Sequence, residues 1–176
     1  AVAKLISMLT DAQNNNWTQY TDRLNAYSGL NGKKISTLSI RVHTGQRHRS
    51  GILDFDGTDD YVYFGMQMVD QSLHEWELTK PGYNNFEQGA NDWYHLYVSN
   101  SLLDPNTVTR VWLRKKRAVH PKGNWWVKDF EIRVNGICAQ AIQVGDWFYG
   151  DQQRNYSVDW SSINFDKPVD TMPDLF

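Results

Sequence analysis

A single cysteine, Cys138, in 176 residues excludes an intramolecular disulfide, so the fold must be held by its core, while secretion is not excluded. Net charge is also scarce. The 18 basic and 20 acidic side chains leave a formal charge of -2, which removes the long-range pull on nucleic acid that a strongly basic domain exerts. Nucleic acid is therefore not an expected partner. Long apolar runs are missing as well: beyond the short apolar start at residues 1–9, nothing approaches the roughly 20 apolar residues of a membrane-spanning helix. There is no internal repeat and no low-complexity tract. A first residue of Ala fits either a processed or a trimmed chain, and with it the reading leans toward a secreted, extracellular protein.

What is present is hydrophobic alternation and many rings. Residues 1–33 predict a helical segment: Val2, Leu5, Ile6 and Leu9 follow the i, i+3, i+4, i+7 stripe, and Trp17, Tyr20, Leu24 and Tyr27 continue near helical spacing. From Lys34 the period drops to two. Leu38, Ile40 and Val42 alternate with Ser39 and Arg41; Val62, Phe64, Met66 and Met68 with Tyr63, Gly65 and Gln67; Tyr94, Leu96 and Val98 with His95 and Tyr97. Val111 and Leu113, then Phe130, Ile132 and Val134, then Ile142 with Val144 and Tyr156 with Val158, extend the set. Short strands separated by Gly, Asn, Asp and Pro, with no helix-length segment between them, predict an antiparallel β-sandwich over residues 34–160 rather than a βαβ sheet. Residues 161–176 read as an irregular tail.

Enzyme chemistry finds little support. His43, His48, His74, His95 and His120 show neither the i, i+4 pairing of a metal site nor a base beside a nucleophile. Glu75 and Glu77 share a strand face, an ordinary pattern on an exposed sheet. Cys138 sits in an apolar strand-like context with no local His, the setting of a small buried hydrophobe. The expectation is a noncatalytic domain.

The informative stretch is Asp56-Gly57-Thr58-Asp59-Asp60-Tyr61-Val62-Tyr63-Phe64-Gly65, followed by Glu75-Trp76-Glu77 and Pro81-Gly82 with Phe86 and Gly89. Together with Trp112-Leu113-Arg114-Lys115, and Ile132 to Gly136 with Trp147, these ordered motifs resemble the PLAT domain (polycystin, lipoxygenase, alpha-toxin) over about residues 36–160. The similarity is greatest to the C-terminal domain of the clostridial alpha-toxin type phospholipases C. The resemblance implies an eight-stranded, C2-like sandwich whose loops at one end meet membrane lipid, often through calcium, or dock on a partner domain. It does not imply catalysis, because in that toxin the reaction belongs to a separate helical zinc domain, and nothing here matches its ligand pattern.

Calcium needs six to eight oxygens gathered in one loop cluster. By resemblance, one site would use Asp56 or Asp54, with Asp59 near, the Gly57 carbonyl, and Asn124 from a distant loop where the family carries Asp. A second family loop corresponds to Thr79-Lys80-Pro81-Gly82, an inserted Tyr83, and Asn84-Asn85. Lys80 places an ammonium where a cation would sit, and only Asp59 remains as a carboxylate ligand there, so millimolar calcium affinity is the expectation. The competing reading is that Asp, Asn and Gly are simply what tight turns contain.

Eight Trp, nine Tyr and seven Phe exceed what one sandwich core usually holds, which predicts exposed rings suited to lipid, sugar or protein surfaces. Phe55, Tyr61, Trp125 and Trp126 are the candidate inserting rings; if Trp125-Trp126 is extended, only one of the two faces the core. Trp76, Trp93, Trp112 and Trp147 read as core or strand-cover residues. Arg114-Lys115-Lys116-Arg117 is either a contact for anionic lipid or a solvated loop. Three functions follow: a lipid-targeting module that meets a phospholipid surface, a protein-interaction domain docking a partner subunit, and a carbohydrate-binding sandwich.

Overall fold

The computed structural model describes residues 35, 37–46, 56–98, 103–118, 123–135 and 137–158, the last range by backbone alone at 137–139. The expected helical segment at 1–33 and the tail at 161–176 lie outside the described residues, as do Asp54 and Phe55. Eight strands follow in order: β1 Leu38–Thr44, β2 Tyr61–Met68, β3 Leu73–Glu77, β4 Asn91–Leu96, β5 Val108–Lys116, β6 Trp125–Val134, β7 Ile137–Phe148 and β8 Gln152–Ser157. They form two four-stranded sheets, β4-β1-β6-β7 and β3-β2-β5-β8, in which every pairing is antiparallel.

Alternation explains which residues fill the space between the sheets. In β1, Leu38, Ile40 and Val42 point inward and are fully buried, and in β2 Val62, Phe64, Met66 and Met68 do the same from the opposite sheet. Leu113 and Val111 of β5 meet Phe130, Ile132 and Val134 of β6 in one continuous core. β6 contributes from both parities. A register shift against β1, where His43 faces Asp129 but Thr44 faces Val127, marks a β-bulge, which inserts one residue in β6 and moves the inward set from Trp125 and Val127 to Phe130, Ile132 and Val134.

Because the strands alternate direction, the β1–β2, β3–β4, β5–β6 and β7–β8 connections all emerge at one end. There they are tied to one another. Trp126 N–H donates to the Asp56 carbonyl at 3.0 Å, Thr58 N–H to the Phe86 carbonyl at 3.1 Å, and Gly89 N–H to the Gly45 carbonyl at 2.9 Å. Such bonds satisfy backbone groups that long surface loops otherwise leave to water.

Candidate functional site at one end of the sandwich

The loop end is organised by a buried charge. Lys115 has the inward parity of Val111 and Leu113, and its ammonium reaches the Asp60 carboxylate with both side chains fully enclosed. The same ammonium donates to the Gly150 carbonyl at 3.3 Å, and the other Asp60 oxygen accepts the Ala118 N–H at 2.9 Å. One ion pair thus fixes three connections: 56–60 before β2, 117–118 after β5 and 149–151 before β8. Arg117 N–H closes the same corner on the Asp151 carboxylate at 2.7 Å.

The fourth connection, 78–90, is anchored by Phe86. Its backbone is left-handed at φ 58°, a conformation a bulky residue adopts only when its surroundings impose it. Those surroundings are two rings, Tyr94 at 5.1 Å and Trp125 at 5.1 Å between centroids. Lys80 is drawn away from its loop tip: its ammonium lies 3.2 Å from the Asp92 carboxylate and 4.2 Å from the Tyr83 ring centroid. Tyr83 also donates its hydroxyl to Asp92 at 2.9 Å, which raises the phenol's pKa.

Between the 58–62 and 77–86 segments lies a cleft of about 210 Å³. Its lining residues include Asp59, Glu77, Asn84, Asn85, Tyr61 and Tyr83, together with Asp60, whose carboxylate is turned onto Lys115, and they include no Lys, Arg or His. Tyr61 and Tyr83 are each 45% exposed, and Tyr149, at the neighbouring β7–β8 connection, is 54% exposed. Tyr61 lies directly opposite Lys116 on β5, and Lys116 and Arg117 both face water.

Several sequence-selected residues sit elsewhere than expected. Trp125 is wholly inside the core, its indole N–H donating to Thr44 Oγ1 at 3.0 Å, so it is not an inserting ring. Trp126 faces the other way, yet it too is buried. It lies over Gly45, where an added Cβ would stand 1.7 Å from an indole carbon; the missing side chain makes the room that the two-face argument did not foresee. Lys115 is withdrawn from any lipid contact by its ion pair. Arg114 stands on the outer face of its sheet, held by Glu75 at 2.5 and 3.0 Å and lying 4.1 Å from the Tyr63 ring centroid. The exposed rings that sequence reasoning passed over are Tyr83 and Tyr149, which flank the turn glycines Gly82 and Gly150, and Tyr97, 84% exposed after β4 at the opposite end.

The donor set argues against a tight calcium site. Asp56 is fully buried, Asp59 is exposed on the cleft, and Asn124 is exposed at the start of β6. Asn85 spends its oxygen on Lys80 N–H at 3.2 Å, and Asn84 donates to Glu87 at 2.6 Å. Among the described residues no three His, Cys, Asp or Glu side chains converge as metal ligands.

A family model described as the PLAT/LH2 domain matches residues 38–159. Among curated proteins, a phospholipase C of Clostridium novyi is 33% identical over 120 residues, covering 68% of this chain and 28% of that protein. A phospholipase C of Clostridium haemolyticum is 26% identical over 137 residues, covering 76% and 32%. Among solved structures, the alpha-toxin of an avian Clostridium perfringens strain superposes with a TM-score of 0.61 at 25% identity, over 70% of this chain and 31% of that one. The alpha toxin of Clostridium absonum gives 0.60 at 20% identity, over 69% and 31%, a likeness of fold. The chain therefore spans about a third of the length of the proteins it matches.

Proposed function

Because the chain belongs to the PLAT/LH2 domain family, we propose that it is a noncatalytic module that carries its protein to a phospholipid surface through the loop end of the sandwich. The observation that supports this is the convergence of three half-exposed tyrosines, Tyr61, Tyr83 and Tyr149, with exposed Lys116 and Arg117 on loops pinned to a rigid core. Tyrosine suits the headgroup layer, apolar at its ring and polar at its hydroxyl. Each basic side chain near an anionic surface adds about 1 kcal/mol. These residues take over the role first assigned to Trp125, Trp126 and Lys115. Calcium at millimolar concentration is part of the proposal, as a bridge between oxygens of the loop end and lipid phosphate. An extracellular setting, suggested by the toxin relatives, belongs to the same proposal.

The test is co-sedimentation with liposomes of phosphatidylcholine and phosphatidylglycerol, with calcium and with chelator. Binding is expected with both lipids, and a Tyr83→Ala, Tyr149→Ala double variant should bind about tenfold more weakly, in keeping with the loss of two interfacial rings. Absence of binding to every liposome would end the reading and leave a protein-docking role.

A further inference from the structure

The two sheets differ in how wet their outer faces are. On β3-β2-β5-β8 the outward ion pair Arg114–Glu75 keeps its side chains 28% and 30% exposed. The comparable outward pair on β4-β1-β6-β7, Arg133–Glu131, keeps only 4% and 10%, and Asp129 on the same face is buried too. Charged side chains on a bare sheet stay in water, because withdrawing them is costly even when they are paired. This face is therefore covered. No described element supplies the cover: the eight strands all lie within the two sheets, and the short turn Pro105–Thr107 leads into β5 of the other one.

The chemistry of the face says what fits it. Arg41 sits at its centre, bonded to Asp129 at 2.9 Å, Glu131 at 3.3 Å and Asn91 at 2.7 Å. Trp93 stands directly opposite Arg41 on β4, and the Arg133 guanidinium lies 4.6 Å from its ring centroid. The charges neutralise one another, so the face offers a neighbour flat groups, rings and guanidinium planes, on which aromatic side chains stack. Residues 1–33 carry such a set in Trp17, Tyr20 and Tyr27, on a stripe shared with Leu24. They also join the fold at the right place. Ile35 is fully buried with its N–H on the Leu103 carbonyl at 2.9 Å, and Thr37 N–H donates to the Asn135 side chain at 3.1 Å, beside the end of β6 that carries Arg133. Residues 28–34 reach at most about 23 Å, and a helix over 17–27 is about 16 Å long, within the roughly 23 Å of the seven-residue β1. The other stretches fit less well: 159–176 leave from β8 on the other sheet, and 47–55 are tied at both ends, to β1 and to the loop before β2.

We propose that the outer face of β4-β1-β6-β7 is the docking surface for residues 1–33 of this chain, whose stripe of Trp17, Tyr20, Leu24 and Tyr27 lies across Trp93 and the Arg41 and Arg133 guanidinium groups. The surface is separate from the loop end, so the proposal stands or falls independently of lipid binding.

The experiment is hydroxyl-radical footprinting of the full chain, read by mass spectrometry at Trp93 on this face and at Tyr63 on the outer face of the other sheet. Tyr20→Asp with Leu24→Asp should raise Trp93 oxidation about fivefold, as release of a local cover does, and leave Tyr63 unchanged. A rise at both residues means that the sandwich has opened; the milder Leu24→Ala, read in its place, must then raise Trp93 alone or the proposal falls. Arg133→Gln tests the same contact from the sheet. It should speed amide hydrogen exchange within residues 1–33 about tenfold while β2 and β5 stay protected, and if β2 and β5 also lose protection the segment variants decide. Unchanged Trp93 in the segment variants overturns the proposal, as does a rise at Tyr63 alone. So does a rise at Trp93 caused instead by Ile163→Asp with Phe165→Asp, which assigns the face to the C-terminal residues, or by dilution of the parent chain, which assigns it to a second copy.

Discussion

At the end where β1 leads to β2, four connections are bonded to each other, and three of them meet at the Lys115–Asp60 ion pair. At the opposite end the β2–β3 turn closes largely on itself, with Gln71 N–H on the Met68 carbonyl and Asp70 capping Ser72, and reaches another connection through Val69 N–H on the Thr107 carbonyl. Both ends expose apolar groups: Val69, Leu73 and Tyr97 are 62%, 61% and 84% exposed at the second, and Tyr61, Tyr83 and Tyr149 are exposed at the first. The difference is in what stands behind them. Long loops can be shaped into a cleft only if their backbone groups are satisfied and their tips are anchored, and the buried pair and Phe86 do this at the first end.

Breaking the pin should have the largest effect. Lys115→Met leaves the Asp60 carboxylate enclosed and uncompensated, a loss of about 3–5 kcal/mol in urea unfolding, while Lys115→Met with Asp60→Leu recovers much of it because no bare charge remains buried. A single variant as stable as the parent would mean that the loop end is not organised by this pair.

A smaller effect is expected on the outer sheet face, where the Arg114 guanidinium, helped by the Trp112 indole N–H at 2.8 Å, holds the Glu75 carboxyl below its ordinary 4.5. A lowered carboxyl pKa stabilises the fold above the unfolded value and ceases to do so as pH falls through the folded one. Glu75→Gln should therefore cost about 0.5–1 kcal/mol at neutral pH, the range for a half-exposed pair, and the difference between variant and parent should close below pH 4.5. Thermal melts from pH 7 downward check it; a gap that widens in acid has the wrong sign.

The smallest effect sharpens the comparison most. Val69→Ser with Leu73→Ser should leave stability within about 0.5 kcal/mol and leave liposome binding unchanged. If these substitutions abolish binding instead, the lipid-facing end has been assigned to the wrong pole.

Period-two alternation was enough to place β1, β2, β4 and β5 and to name Leu38, Ile40, Val42, Phe64 and Leu113 as interior, because a strand with one wet face writes its orientation into neighbouring residues. The burial of Lys115 was legible by the same rule, two positions beyond Leu113, but the basic run around it suggested a charged surface. Trp126 was not legible: its enclosure depends on the absence of a side chain at Gly45, far away in sequence. Nor was the cleft, which arises where the segments before β2 and after β3 meet. Asp59 and Asp60 are adjacent and alike in the chain, yet one faces the cleft and the other is enclosed by a lysine.

The extra residue in β6 has an evolutionary consequence. Since Trp125 and Val127 face inward on one side of it and Phe130, Ile132 and Val134 on the other, deleting the extra residue itself leaves one unbroken alternation with the same five side chains inward. Deleting an amino acid beyond it, at Glu131 for example, turns the rest of the strand inside out and points Arg133 rather than Ile132 and Val134 at the core. Apart from that one position, insertions and deletions in descendants of this chain are thus confined to the connections, and the loop end is free to change length while the body that supports it is not.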